Sequence, residues 1–415
     1  MFDQLFKSPE AIARHSQAPY AEERRQYLAA CAQQGNSHST LLFAAQDLFW
    51  VADKLSVYPD LHQVTREQVR AVAHDWRKRE RAHGQVLNKA HTRRRYLRLA
   101  ASWLRFLGHL QLPVEPVPFE RRLEEYCRWA REERGLSEAS IKQFHSQIRY
   151  FLLWYGTLER DLADVDVNDV DRYLIRGGTH GWSRVTVNNV ATALRCFFRY
   201  CAQRHWTRDL AEGIQGPRIY ALEGLPAGPD WGDVRRLFAS LDPKNRTDIR
   251  DRPILMLMAI YGLRASEVAK LRLEHLDWEH DRLRVPRAKR RATDVYPLQP
   301  SVRDALIRYL QKVRRRPTAH RQVFLTMMPP FRPISASSLY HVAAHRLKHL
   351  GVRTAHHGPH SLRHACAARL VADGLSLKEI GDHLGHRSTA ATRIYAKVDL
   401  RGLREVAAFD VGELL

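Results

Sequence analysis

The sequence predicts a mainly α-helical, multidomain protein whose C-terminal part is mixed α/β and carries one small antiparallel sheet. Three observations lead there. Apolar residues recur at helical spacing behind capping residues through the first half of the chain. Two stretches rich in proline and glycine interrupt those patterns. Only residues 275–298 alternate with the two-residue period of strands.

The 415 residues exceed one ordinary domain, and a hydrophobic share of 44% is enough for packed cores. The stretch QLPVEPVPF, with Pro113, Pro116 and Pro118, breaks any continuing helix. A second break runs from Gly213 to Pro229. The expected division is therefore a helical N-terminal extension (1–112), a second helical domain (113–215), a linker (216–229), a C-terminal domain (230–400) and a tail (401–415).

In the first segment Thr65 and Gln68 have the spacing of a capping box, and an Arg-rich helix runs from Thr92 toward Trp103, Leu104, Phe106, Leu107 and Leu110. Its Arg94–Arg95 pair is either a DNA contact or a solvated face. In the second segment Ser137 precedes Ile141, Phe144, Ile148, Phe151, Leu152 and Tyr155, and Ser183 precedes Val187, Val190, Leu194, Phe197 and Phe198. Each set lies on one helix face. The third segment opens with an apolar helix, Ile254–Tyr261, that stops near Gly262, followed by a short helix over Ser266–Leu271. Strands are expected at His275–Asp281, Arg282–Val285 and Thr293–Leu298. Helices resume at Ser301–Val313 and from Ser338. Ser376 and Glu379 form a capping box, Leu375 and Ile380 a hydrophobic staple, and Gly385 a helix stop. Ser388 is placed to cap the helix that carries Tyr395.

Charge gives the first functional signal. Lys and Arg number 67 against 45 Asp and Glu, a formal net charge of +22. Such an excess favours polyanions, of which nucleic acid is the commonest. No run of apolar residues reaches the ~18 that a membrane span needs, and the N-terminus lacks an apolar signal core. The five cysteines (Cys31, Cys127, Cys196, Cys201, Cys366) are scattered without a CxxC pair, which excludes a cysteine framework and fits a reducing cytoplasm.

Cutting and rejoining a phosphodiester without a metal needs a nucleophile, cations around the phosphorus and an acid for the leaving oxygen. Arg264 in YGLRASEVAKL, His360 and Arg363 in HGPHSLRHACA, His386 in DHLGHRS and Tyr395 in ATRIYAKV supply such groups in a fixed order, with nine residues from His386 to Tyr395. Together these stretches resemble the tyrosine recombinase (phage integrase-like) superfamily over most of 230–400, and segment 113–215 is similar to its helical core-binding domain. The resemblance implies a tyrosine recombinase catalytic domain and site-specific recombination for integration, excision or transposition of a mobile element. A type IB topoisomerase-like relaxing enzyme, or a DNA-binding protein without strand exchange, is the alternative.

The resemblance also assigns roles. Tyr395 is the nucleophile. Arg264 and Arg363 clamp the phosphate with planar, permanently charged forks. His360 and His386 hydrogen-bond the phosphate, and His360 is expected to assist the tyrosine as a base. Lys289, in the turn between the last two expected strands, matches the general acid, although Ala288 stands where the family has glycine. Its neighbours Arg287, Arg290 and Arg291 are expected to contact DNA. Glu267, one helical turn after Arg264, supports it. His356, His357, His360 and His364 cluster in sequence and offer a metal-binding alternative, but without a cysteine or an HExxH arrangement no metal and no other cofactor is expected. The partners implied are double-stranded DNA, further copies of the chain as a dimer to tetramer, and accessory proteins, on the bacterial nucleoid. The tail, with Leu400, Leu403, Val406 and Phe409 at near-helical spacing, is expected to dock either on its own protomer or on a neighbour.

Overall fold

The computed structural model describes residues 1–56, 64–71, 89–111, 116–219, 228–287, 292–316, 318–386 and 391–398, without the side chains of 89–93 and 397–398. Lys289, Arg290, Arg291, Ser388 and the tail 401–415 lie outside the described residues. Two compact units form, residues 113–223 and residues 1–112 together with 224–415.

The unit of residues 113–223 is helical. Its helices are Glu120–Glu132, Glu138–Gly156, Val167–Thr179 and Arg184–Gln203. Ser137 and Ser183 cap the second and fourth, each hydroxyl accepting a backbone N–H at the third helical position. The faces foreseen from spacing point inward: Ile141, Ile148, Phe151, Leu152 and Tyr155 meet Leu194, Phe197 and Phe198 in one core, with Phe144 and Val187 at its margin. Asp169 is buried and doubly used, closing a capping box with Asp166 and taking ion pairs from Arg160 and Arg172.

Within the other unit, residues 1–111 build a core of their own from helices Ala21–Gln33, His38–Leu55 and Lys89–Phe106. Thr65 and Gln68 form the foreseen capping box, the Gln68 carboxamide accepting from the Thr65 N–H at 2.7 Å. A two-residue strand, β1 (Val64–Thr65), pairs in parallel with β2 (Leu110–Gln111). Leu110 thus ends in a strand rather than in the helix.

Residues 228–398 pack around the helix Arg246–Ile260. Residues Ile254 to Ala259 are all buried, so the second half of this helix is apolar on every side and lies within the core. Gly262 follows in the left-handed region (φ 61°), which turns the chain sharply into Arg264. The sheet is antiparallel, β3 (Leu276–Asp277), β4 (Arg282–Arg287) and β5 (Ala292–Pro297), in that order. The strand expected over 275–281 is only two residues long. Leu273–His275 is a 3-10 turn, and beyond Asp277 the chain folds into a turn in which the Asp277 carboxylate accepts the His280 N–H at 3.2 Å. Along β4, Leu283, Val285 and Arg287 face inward while Arg282, Arg284 and Pro286 face out. The capping box at Ser376 and the left-handed stop at Gly385 form as foreseen around the helix Leu377–Leu384.

Candidate active site

Two helix starts build the site. Arg264 is the N-cap of Ala265–Lys270, so its backbone N–H and side chain both face the Glu267 carboxylate, at 2.8 Å each. His360 is the second residue of the helix Pro359–Ala372 and is exposed at its N-terminus, the positive end of the helix dipole. Arg363, one turn on, is 4% exposed. Arg264, His360 and Arg363 line one concavity of about 210 Å³, walled by Tyr340 and Pro359.

Arg363 donates to the backbone carbonyls of Gly262 and, at 2.7 Å, of Leu384. It thereby ties the turn before Arg264 to the turn before His386. Burial lowers its pKa to about 10, with Arg264 adding repulsion and Glu267 opposing. Two of its five N–H donors are used by those carbonyls, leaving the rest of the fork to the concavity. A Cβ at Gly262 would come within 2.4 Å of the Leu384 side chain, and the positive φ there also favours glycine.

Glu267 joins the two halves of the site. Besides Arg264 it accepts from Arg287 Nη1 at 2.6 Å. Burial works against its carboxylate, but the Arg264 N–H and the two guanidiniums outweigh that and hold its pKa below the ordinary value. Arg287 is 2% exposed and also binds Asp294 at 2.7 Å and the Tyr296 hydroxyl. The expectation that Arg287 contacts DNA is therefore corrected. Its place in the strand alternation turns it inward, where it neutralises two carboxylates and pins the β4–β5 hairpin to the site.

His386 Nδ1 lies 2.7 Å from the Thr392 hydroxyl, and its pKa is pushed down to about 4 by burial, then by Arg363 and Arg264. Tyr395 stands in the 3-10 turn Arg393–Val398 and is 2% exposed. Its hydroxyl is 3.0 Å from His364 Nδ1. Burial raises the phenol to about 12, while Arg363 and Arg264 pull the other way. His364 itself titrates below its ordinary value through burial and the neighbouring His360 and Arg363.

Arg264, Glu267, His360, Arg363, His386 and Tyr395 thus come together, while Lys289 lies outside the described residues. The base expected beside the tyrosine was His360; the imidazole on its hydroxyl is that of His364, which sequence reasoning passed over in that role. Its signal was the i, i+4 spacing from His360 in a segment already marked for chemistry. Among the described residues no three His, Cys, Asp or Glu side chains stand together as a metal site, all five cysteines are free, and no helix is long and apolar enough to cross a membrane.

The family model for the phage integrase family matches residues 232–401, and that for the phage integrase N-terminal SAM-like domain matches residues 123–205. A protein of Sinorhizobium fredii described as "putative integrase/recombinase" is 34% identical over 304 residues, covering 72% of this chain and 73% of the relative. Tyrosine recombinase XerD of Listeria innocua is 26% identical, covering 68% and 96%. The integrase of transposon Tn1549, solved with transposon right end DNA, shares the fold at a TM-score of 0.55 and 17% identity, covering 69% of this chain and 99% of that one. The chain belongs to the phage integrase family and is a tyrosine recombinase, an enzyme of site-specific recombination.

Proposed function

We propose that this protein cuts and rejoins double-stranded DNA for a mobile element, with Tyr395 as the covalent nucleophile. The reading rests on one observation above all. Arg264 and Arg363, distant in sequence, line one concavity with His360, and both guanidiniums act on the Tyr395 phenol. A phosphate in that concavity would meet two planar cations and a helix N-terminus. Likeness to a transposon integrase supports the mobile-element role.

In the first step the Tyr395 oxygen attacks the scissile phosphorus. The bond to the 5′-oxygen breaks, Lys289 gives that oxygen a proton, and a 3′-phosphotyrosine remains. Neutral His364 accepts the phenolic proton, because its ring nitrogen is the group within hydrogen-bond distance of the hydroxyl. Arg264, Arg363, His360 and His386 stabilise the pentavalent phosphate, and Glu267 fixes Arg264. A free 5′-hydroxyl from a second duplex then reverses the step, so the energy of the broken bond is conserved and no cofactor enters. The protein acts as a homo-oligomer of two to four protomers in the cytoplasm.

Two duplexes with different end labels, each carrying a candidate element end, test this. Recombinant strands of mixed label are expected from the wild type and none from Tyr395→Phe. Relaxation of a supercoiled plasmid carrying the same end, without mixed-label product from the duplexes, would instead indicate a topoisomerase.

A further inference from the structure

The N-terminal segment holds a second basic site far from Tyr395 in the sequence. The parallel pairing of Val64–Thr65 with Leu110–Gln111 sets the helical residues 66–71 beside the helix Lys89–Phe106. Arg66 and Arg70 are four residues apart on the first. Arg94, Arg98 and Arg105 share one face of the second, since steps of four and seven return to the same side. All five are exposed, and together they line a groove of about 340 Å³ over an apolar floor that includes Val69 and Leu97.

Among the described residues no carboxylate lines this groove. Among the described residues the one ion pair on its arginines is Arg70 with Glu67, 3.8 Å apart and exposed at both ends. Such an exposed, long pair is weak and neutralises little. Arg95, one position along, contrasts with its neighbour. It turns to the other side, binds Asp47 at 2.8 Å and covers the Phe43 ring. Of the Arg94–Arg95 pair, one is used to hold the segment together and the other faces the groove.

Five like charges repel unless a polyanion lies among them. Residues four apart on a helix are about 6 Å apart along its axis, and each DNA strand carries a charge about every 3.4 Å. Two rows of guanidiniums with a shallow apolar floor therefore suit a continuous phosphate backbone better than an isolated carboxylate. We propose that this groove binds the sugar-phosphate backbone of duplex DNA, giving the enzyme a contact additional to the one at the cleavage site. The choice of DNA as the polyanion rests on the recombinase reading.

The test uses the full-length protein and a fluorescein-labelled mixed-sequence duplex of about 40 base pairs, titrated between ~50 and ~200 mM salt. The variant R66Q/R70Q/R94Q/R98Q/R105Q is expected to bind about tenfold or more weakly, with a salt slope shallower by roughly 3 or more, at ~0.9 per lost phosphate contact. Covalent complex formation on a nicked duplex at saturating DNA is expected to stay at the wild-type level. Should the quintuple variant melt early, R94Q/R98Q is expected to lose about 2 from the slope on its own. Wild-type affinity and slope in a normally folded variant would overturn the proposal. So would loss of polyglutamate binding with duplex binding intact, which would assign the groove to an acidic protein. Tyr395→Phe keeps duplex affinity while removing the covalent product, so failure of the catalytic reading is seen separately.

Discussion

The Tyr395 hydroxyl lies 3.0 Å from His364 Nδ1, on the helix that also carries His360 and Arg363. One helix thus carries a guanidinium that lines the concavity and an imidazole beside the Tyr395 hydroxyl, as the proposed cleavage requires. The phenol is nearly closed off from solvent, and burial raises its pKa to about 12, so unaided ionisation at neutral pH is negligible.

Removing that imidazole is expected to slow cleavage. His364→Gln keeps a polar side chain but loses the basic nitrogen. The single-turnover rate of covalent complex formation should fall by about 10²-fold or more, as for loss of a general base, with duplex affinity unchanged. A wild-type rate would reduce His364 to a packing role.

Arg287 is the hub of the buried ion network, so Arg287→Met takes the guanidinium from Asp294 and one of two from Glu267, which keeps Arg264. Breaking a buried pair from one side costs about 3–5 kcal/mol, and with Arg264 still on Glu267 the lower end, about 3 kcal/mol, applies here. Urea denaturation is expected to show a loss of that order. A loss under about 1 kcal/mol, in the range of an exposed pair, would contradict the inward placement.

Gly385 has φ 65°, and a Cβ there would sit 2.8 Å from Arg287 Nε. Gly385→Ala is expected to destabilise the fold by about 1 kcal/mol or more and to slow cleavage, because the same turn leads into His386. Unchanged melting and cleavage would show that the turn adapts freely.

His15 and His386 are both held near pKa 4, in each case chiefly by burial, against an ordinary 6.5. Between those values the unfolded chain binds protons that the folded chain refuses. Their contribution to stability is therefore whole above about pH 6.5 and is lost as pH falls toward 4. Urea midpoints at about pH 7.5 and about pH 5 should drop steeply for the wild type and less for His15→Gln. Equal drops in the two proteins would show that His15 is not buried neutral.

Local chemistry was legible in the sequence. Ser137, Ser183, Ser376 and Gly385 cap as their types and positions dictate, because a cap depends on a few neighbouring residues. Long-range pairing was not. The bond between Val64–Thr65 and Leu110–Gln111 joins two fragments too short to carry a strand pattern. Arg287 was misplaced although the signal was present. The alternation that buries Leu283 and Val285 buries residue 287 as well, but the expected strand stopped at Val285 and left Arg287 to the basic turn. His364 needed the fold, since only the return of residues 391–398 to the helix Pro359–Ala372 brings it to Tyr395.

The central claim is a bond between the Tyr395 oxygen and a DNA phosphorus, and it is tested most directly by trapping and mapping that bond. A duplex nicked next to the scissile phosphate releases its short 5′-hydroxyl strand, so the covalent product accumulates, and mass spectrometry of its peptides locates the nucleotide. The expected result is a 3′-phosphate adduct on Tyr395 that is absent from Tyr395→Phe. An adduct on another residue, or equal trapping by the phenylalanine variant, would contradict it.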